Sequence, residues 1–202
     1  MIGVIIGDIV GSKYEFNNIK TKDFKFFDKD CEFTDDSVMT LAICKAFLDV
    51  DGDYSNLSEK TIYYMQKIGR DYPYCGYGGH FYNWIYDDNP KPYNSFGNGS
   101  AMRVGAVGWV SKTKEEVKEL SQMVTEISHN HPEGIRGAEA TAMCIFMARN
   151  GATKDEIKRM VEDNYYKLNF TIDEIRPTYR FNEICQNTVP QAIECFLEGK
   201  DY

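Results

Sequence analysis

Thr34, Asp35 and Asp36 place a hydroxyl and two carboxylates on consecutive residues, just ahead of an apolar run from Val38 to Leu48. Val38, Leu41, Ala42, Lys45 and Leu48 recur at helical spacing. Thr34 therefore reads as an N-cap, with both aspartates in the first turn. Two kinds of chemistry fit there. The carboxylates can simply meet the positive end of the helix dipole, worth a few tenths to about 1 kcal/mol each. Alternatively, three hard oxygen donors on a rigid element can hold a divalent cation, and such donors suit Mg²⁺ better than Zn²⁺.

Three further clusters could join them. The first is Gly7-Asp8-Ile9-Val10-Gly11-Ser12, followed by Glu15. It fails the phosphate-loop pattern because the second glycine comes one residue early and Ser12 precedes Lys13. Gly3, Gly7 and Gly11 instead recur every four residues, which predicts a buried helix with a smooth face for close backbone approach. The second is Gly97-Asn98-Gly99-Ser100-Ala101-Met102-Arg103, a turn entering a small-residue segment. Backbone N–H groups bared by the glycines, with the Ser100 hydroxyl, suit a phosphate or diphosphate. The plain alternative is an ordinary Asn-Gly turn with Arg103 in an ion pair. The third is Ser128-His129-Asn130-His131-Pro132. Its His-x-His spacing puts the rings on different faces of a helix start, with no cysteine nearby, so it argues against zinc. His129 reads as a helix cap or a ligand-facing residue, and His80 stands alone.

The elements that must position these groups are helices. Residues 14–33 are polar and aromatic, an irregular excursion that brings Glu15 near the Thr34 helix. Asp51 to Ser55 reads as a turn. Asn56 with Glu59, Thr113 with Glu116, Thr153 with Glu156, Thr171 with Glu174 and Thr188 with Gln191 repeat the capping-box signature. Gly69 reads as the end of the helix begun at Leu57, and Pro132 opens a helix ending at Asn150-Gly151. Residues 70–100, with three prolines and many glycines and tyrosines, read as one long loop whose aromatics pack on the core or stack on a planar ligand. The architecture is all-α: a multi-helix bundle with short connections, forming a single domain over residues 1–202.

Composition bounds the function. With 202 residues and 43% hydrophobic residues, folding buries roughly 70% of the unfolded chain's surface, enough for a real core. A net charge of −8 without a basic stripe argues against nucleic-acid binding through phosphate neutralisation. The six cysteines are scattered without a Cys-x-x-Cys pair and read as reduced thiols. No signal core or membrane span is seen, so the expected location is the cytoplasm.

The succession GDIVGSKYE, FTDDSVMT, GNGSAMR and SHNHPEGIRGAEATA, in that order, closely resembles the ADP-ribosylglycohydrolase family, of the dinitrogenase reductase-activating glycohydrolase type. The resemblance runs from about Gly3 to Leu197. It implies an all-α enzyme that removes ADP-ribose from modified proteins or related small ADP-ribosyl substrates. Carried over position by position, it makes Thr34, Asp35 and Asp36 the Mg²⁺ ligands and Glu15, with Asp36, the catalytic carboxylates. Asn98, Gly99, Ser100 and Met102 would hold the diphosphate-ribose, with His129 at the rim of the same cleft. Asp8 and Ser12 match the first motif in mainly structural roles.

One part of the pattern is missing. The family continues past the equivalent of Tyr202 into a helix with a Gly-Gly-Asp-x-Asp-Thr motif that completes a two-magnesium site. The only comparable run here, Asp51-Gly52-Asp53-Tyr54-Ser55, is misspaced and falls in a turn. The expectation is a protein truncated at its C-terminal end relative to the family, or a site completed by a second copy or another protein. A degenerate ADP-ribose-binding module without turnover is the alternative.

Overall fold

The computed structural model describes residues 1–200. Tyr202, where the family pattern is expected to break off, lies outside them. The first helix, α1 (Ile2–Ser12), leads into an irregular segment that reaches α2 (Asp35–Val50). Thr34 caps α2 as its spacing requires, its hydroxyl accepting the Asp36 N–H at 3.4 Å. Val38, Met39, Ala42, Ile43, Ala46 and Phe47 then form the buried stripe.

That stripe packs on α3 (Leu57–Asp71), which corrects two expectations. Asn56 stands at the N-cap without a side-chain capping bond, so the expected box is not formed. Gly69 does not end the helix. A Cβ there would stand 3.1 Å from Ile85 Cδ1 and 3.2 Å from Met39 Cε, so the glycine serves close packing. The expected long loop at 70–100 is also interrupted, by α4 (Gly79–Tyr86) and by a 3₁₀ turn at Asn98–Ser100. Phe81, Trp84 and Ile85 fall at i, i+3 and i+4 and bury one face of α4, and Trp84 Nε1 donates to the Ile127 carbonyl at 3.1 Å.

The second half follows as α5 (Gly105–Val110), α6 (Lys114–Thr125) and α7 (Pro132–Arg149), with α5 and α6 both against α7. Beyond them come α8 (Lys154–Asn164), α9 (Ile172–Ile175) and α10 (Val189–Glu198). The boxes at Thr153 and Thr171 are formed. At Thr113 only half is present, because Glu116 Oε2 takes the Lys112 N–H. At Thr188 it is absent, since that hydroxyl donates to the Ile184 carbonyl at 2.8 Å. Among the described residues the protein is all-α, with no strand and one isolated bridge, between Gly97 and Ile184. All six cysteines are free, and no described helix is long and apolar enough to cross a membrane.

Two glycine contacts separate packing from cleft. In α5, a Cβ on Gly108 would lie 2.6 Å from Ile145 Cγ2 and 2.7 Å from the Ala142 carbonyl oxygen of α7. Gly108→Ala should therefore destabilise the protein by about 1–3 kcal/mol, the usual cost of overpacking. Urea titration reads it, and an unchanged midpoint would show that α5 is not locked on α7. In α1 the expectation of a buried helix is wrong: Val10 is its buried residue and Ile2 is 75% exposed. A Cβ on Gly7 or Gly11 would meet nothing within 4 Å, because these glycines border open space.

Candidate active site

The open space is a cleft of about 720 Å³, bordered by α1, the start of α2, the 3₁₀ turn and the 179–183 segment. That size suits a small-molecule ligand. Glu15, Thr34, Asp35, Asp36, Asn98 and Gly99 all line it. The sequence motifs, up to 84 positions apart between Glu15 and Gly99 (99 − 15), are therefore brought together.

At one end the carboxylates converge. Asp8 Oδ2 accepts the backbone N–H groups of Thr34 at 2.8 Å and Ser37 at 3.1 Å, and Asp8 Oδ1 accepts the Thr34 hydroxyl at 2.6 Å. Asp8 thus ties α1 to the first turn of α2 and fixes the direction of the acidic pair, which is the structural role its motif position suggested. Asp35 is pushed up to about 7 by burial and then by the charges of Asp36 and Glu15. Asp36 is pushed up to about 6 by burial and then by Asp8 and Glu15. Glu15 is raised too, first by partial burial of its carboxylate and then by Asp8 and Glu183, although the residue as a whole is exposed. Among the described residues no lysine or arginine forms an ion pair with any of these four groups.

Clustered carboxylates without a counter-cation have the chemistry of a hard-cation site. The fit is partial. Among the described residues no three His, Cys, Asp or Glu side chains come together closely enough to hold an ion alone. Asp35, Asp36 and the Thr34 oxygen supply one side of such a site.

At the other end, the glycine turn is held by a neighbouring segment. Gly97 pairs with Ile184, Asn98 N–H donates to the Glu183 carbonyl at 2.7 Å, and Cys185 N–H donates to the Phe96 carbonyl at 3.0 Å. Met102 also lines the cleft, and its carbonyl accepts the Thr40 hydroxyl of α2 at 3.3 Å, joining the two ends. Below the turn lies Arg103, 0% exposed, with Nη2 donating to Ser128 Oγ at 2.7 Å and the guanidinium 5.6 Å from the Phe81 ring centre.

The ADP-ribosylglycohydrolase family profile matches residues 1–201. The chain belongs to the ADP-ribosylglycohydrolase family. ADP-ribosylhydrolase ARH3 of Mus musculus is 22% identical over 187 residues, covering 77% of this chain and 50% of that protein. ADP-ribosylhydrolase ARH3 of Xenopus tropicalis is 24% identical over 182 residues, covering 77% and 51%. The chain thus spans about half the length of the curated relatives it matches. A solved ADP-ribosylglycohydrolase-related protein complex superposes with a TM-score of 0.71 at 14% identity, covering 99% of this chain and 74% of that one. That likeness speaks for the fold.

Within this ADP-ribosylglycohydrolase fold, several expected placements need correction. Ser100 is 0% exposed, and its hydroxyl turns away to the carbonyls of Gly134 at 2.8 Å and Gly97 at 3.0 Å, so it braces the turn against α7 and is closed to a ligand. His129 is no rim residue: at 4% exposure it forms part of the inner wall. The capping role falls to His131, whose Nδ1 accepts the Glu133 N–H at 3.1 Å. Among the described residues Arg103 makes no ion pair, contrary to the plain reading of its turn. Asp51 and Asp53 stay in their turn, where Asp53 accepts the Ser55 N–H at 3.1 Å.

The structure also adds residues to which the sequence assigned no role. His80 stacks on Tyr93 with ring centres 5.8 Å apart, and both line the cleft, as do Asn182 and Glu183. The tyrosine-rich composition of 70–100 was the only hint of Tyr93. No local pattern marks 182–183, which reach the cleft through pairing with the glycine turn.

Proposed function

We propose that this chain is a Mg²⁺-dependent hydrolase that cleaves the glycosidic bond between ADP-ribose and a protein side chain or a related small ADP-ribosyl group. The observation that carries the reading is the polarity of the cleft: unneutralised carboxylates at one end, and a glycine turn over a buried arginine without an ion pair at the other. A ligand with a sugar diol and a diphosphate matches that polarity.

Thr34, Asp35 and Asp36 would hold the Mg²⁺, with water or ligand oxygens supplying the remainder. The bound cation would neutralise the acidic pair and orient the ribose hydroxyls. Glu15 moves the proton at the glycosidic bond, activating water or protonating the leaving group, and its raised pKa suits that task. Asp36 lies between the two roles, since Asp8 and Glu15 both act on its charge. Asn98, Gly99, Met102 and His129 bind the diphosphate-ribose, so that contacts remote from the reacting carbon set its orientation. Acting on ADP-ribosylated proteins or small ADP-ribosyl groups, the enzyme works in the cytoplasm, with neither nucleic acid nor membrane as partner.

A second reading, an ADP-ribose-binding module without turnover, is favoured by one observation: no third acidic or histidine side chain joins the Asp35–Asp36 pair closely enough to complete an ion site among the described residues. ADP-ribose release from a modified protein, with Mg²⁺ and with chelator, is measured beside calorimetry with free ADP-ribose. Release that chelator abolishes is the expected result. Binding without release selects the second reading, and the absence of both sinks the two together.

A further inference from the structure

We propose that Arg103 and Ser128 are positioning residues that lock His129 as the neutral imidazole protonated on Nε2, making it a hydrogen-bond donor to an anionic ligand oxygen over the Gly97–Gly99 turn. The ligand's identity rests on the functional reading above; the tautomer does not.

The chain of donors begins at the guanidinium, which has N–H groups and no acceptor. Arg103 Nη2 donates to Ser128 Oγ at 2.7 Å, so the serine oxygen is the acceptor in that contact. Ser128 Oγ also lies 2.9 Å from His129 Nδ1. Ser128 is 0% exposed and has no other side-chain hydrogen bond among the described residues, which leaves Nδ1 as the acceptor for its hydroxyl hydrogen. A neutral ring that accepts at Nδ1 carries its proton on Nε2.

An imidazolium is excluded on the same geometry. The ring is buried against Tyr93 and Phe81, and among the described residues no acidic side chain pairs with it. Burial and then the Arg103 charge hold the pKa of His129 down to about 2. The other ionisable neighbour, Tyr93, is pushed up to about 12 by burial and stays neutral.

Nε2 faces the turn. A Cβ added to Gly99 would stand 3.3 Å from it, and one added to Gly97 3.6 Å. The glycines thus leave that N–H uncovered on the cleft side. Beneath it, Arg103 Nε and Nη1 have no hydrogen-bond partner among the described residues, and no carboxylate there neutralises the charge. The field behind the His129 donor therefore favours an oxygen that bears negative charge.

The test is a two-bond ¹H–¹⁵N correlation spectrum of histidine-labelled protein, with the His129 ring assigned by its loss in His129→Gln. A proton on Nε2 and none on Nδ1 is expected in the free protein, with the Nε2–H resonance shifting when ADP-ribose is added. Ser128→Ala should release the ring to a mixture of tautomers and weaken ADP-ribose binding about three- to tenfold, the range for one net hydrogen bond. Ser128→Thr should restore both. Thermal midpoints taken alongside show that each variant is folded. A proton on Nδ1 would overturn the proposal, as would Ser128→Ala with unchanged tautomer and affinity. The expected tautomer in a protein that binds no ADP-ribose would uphold the lock and sink the functional reading instead.

Discussion

Glu15→Gln should lower the rate of Mg²⁺-dependent ADP-ribose release by about a hundredfold to ten-thousandfold, the usual contribution of a positioned acid or base. The reason lies in what the substitution leaves alone. Glu15 follows the end of α1 on the irregular segment, and its carboxylate makes no hydrogen bond among the described residues, the bond from Asn18 going to its backbone carbonyl. Glutamine keeps the shape and removes only the titratable proton and the charge. Stability should therefore change little, rising by about 0.5 kcal/mol at neutral pH, since the residue is exposed but its charge adds to the repulsion on Asp35 and Asp36. Free ADP-ribose should bind with little change, or slightly tighter, because one negative charge near the ligand is gone. The pH profile adds a second reading: the limb of the wild-type rate set by Glu15 should be displaced upward from the ordinary glutamate position, since burial, Asp8 and Glu183 all raise its pKa. Wild-type turnover in the glutamine variant would show that the proton comes from elsewhere and would remove Glu15 from the chemistry.

The contrast between what the sequence made legible and what it hid follows the range of the interactions. Thr34, Thr153 and Thr171 cap their helices as expected because the capping partner lies two or three residues away and the hydroxyl oxygen still accepts its N–H while the hydroxyl hydrogen goes to a carboxylate, that of Asp8, Glu156 or Glu174. Thr188 has a similar partner three residues on, Gln191, but Ile184, just ahead of a 3₁₀ turn at Cys185–Asn187, offers its carbonyl, and the hydroxyl goes there. The helix α4 was hidden by surrounding glycines and prolines, although Phe81, Trp84 and Ile85 carry a helical spacing. Gly69 looked like a stop signal because its real partners, Ile85 and Met39, are distant in sequence.

The candidate site divides in the same way. The acidic pair and the glycine turn were visible as motifs, because backbone geometry forces those residue types locally. Which way each side chain points was not visible. Ser100 turns inward because the Gly134 carbonyl of α7 is there to meet it, and Arg103 is buried because Phe81 and Ser128 enclose it. Such facts belong to the packing of α4, the turn and α7, and no window of neighbouring residues contains them.

The acidic pair itself carries a large, pH-dependent effect on stability. Asp35 and Asp36 carry raised pKa values of about 7 and about 6 against an ordinary 3.8. Between about pH 4 and 7 the folded protein thus holds protons that the unfolded polypeptide has released. Stability falls as pH rises through that window, and the full penalty is present above it. At about 1.4 kcal/mol per pKa unit the two shifts taken separately would sum to roughly 7 kcal/mol. Because the two half-buried carboxylates titrate as a coupled pair and are partly screened by solvent, the penalty for the pair is on the order of a few kcal/mol. His129 acts in the opposite sense: its lowered pKa costs stability as pH falls below the ordinary histidine value. Comparing wild type with Asp35→Asn across pH cancels the histidine contribution. Without Mg²⁺, Asp35→Asn should be more stable than wild type at pH 8 by roughly 1–3 kcal/mol, with the difference vanishing below about pH 4. Mg²⁺ should raise the thermal midpoint of wild type more at pH 8 than at pH 5, where protons compete for the carboxylates, and should leave the midpoint of Asp35→Asn nearly unchanged. Such a variant would be steadier and inactive, a sign that the wild-type fold keeps its repulsion for the sake of a cation. A midpoint indifferent to Mg²⁺ in wild type at both pH values would reduce Asp35 and Asp36 to helix-start residues and take the metal out of the mechanism.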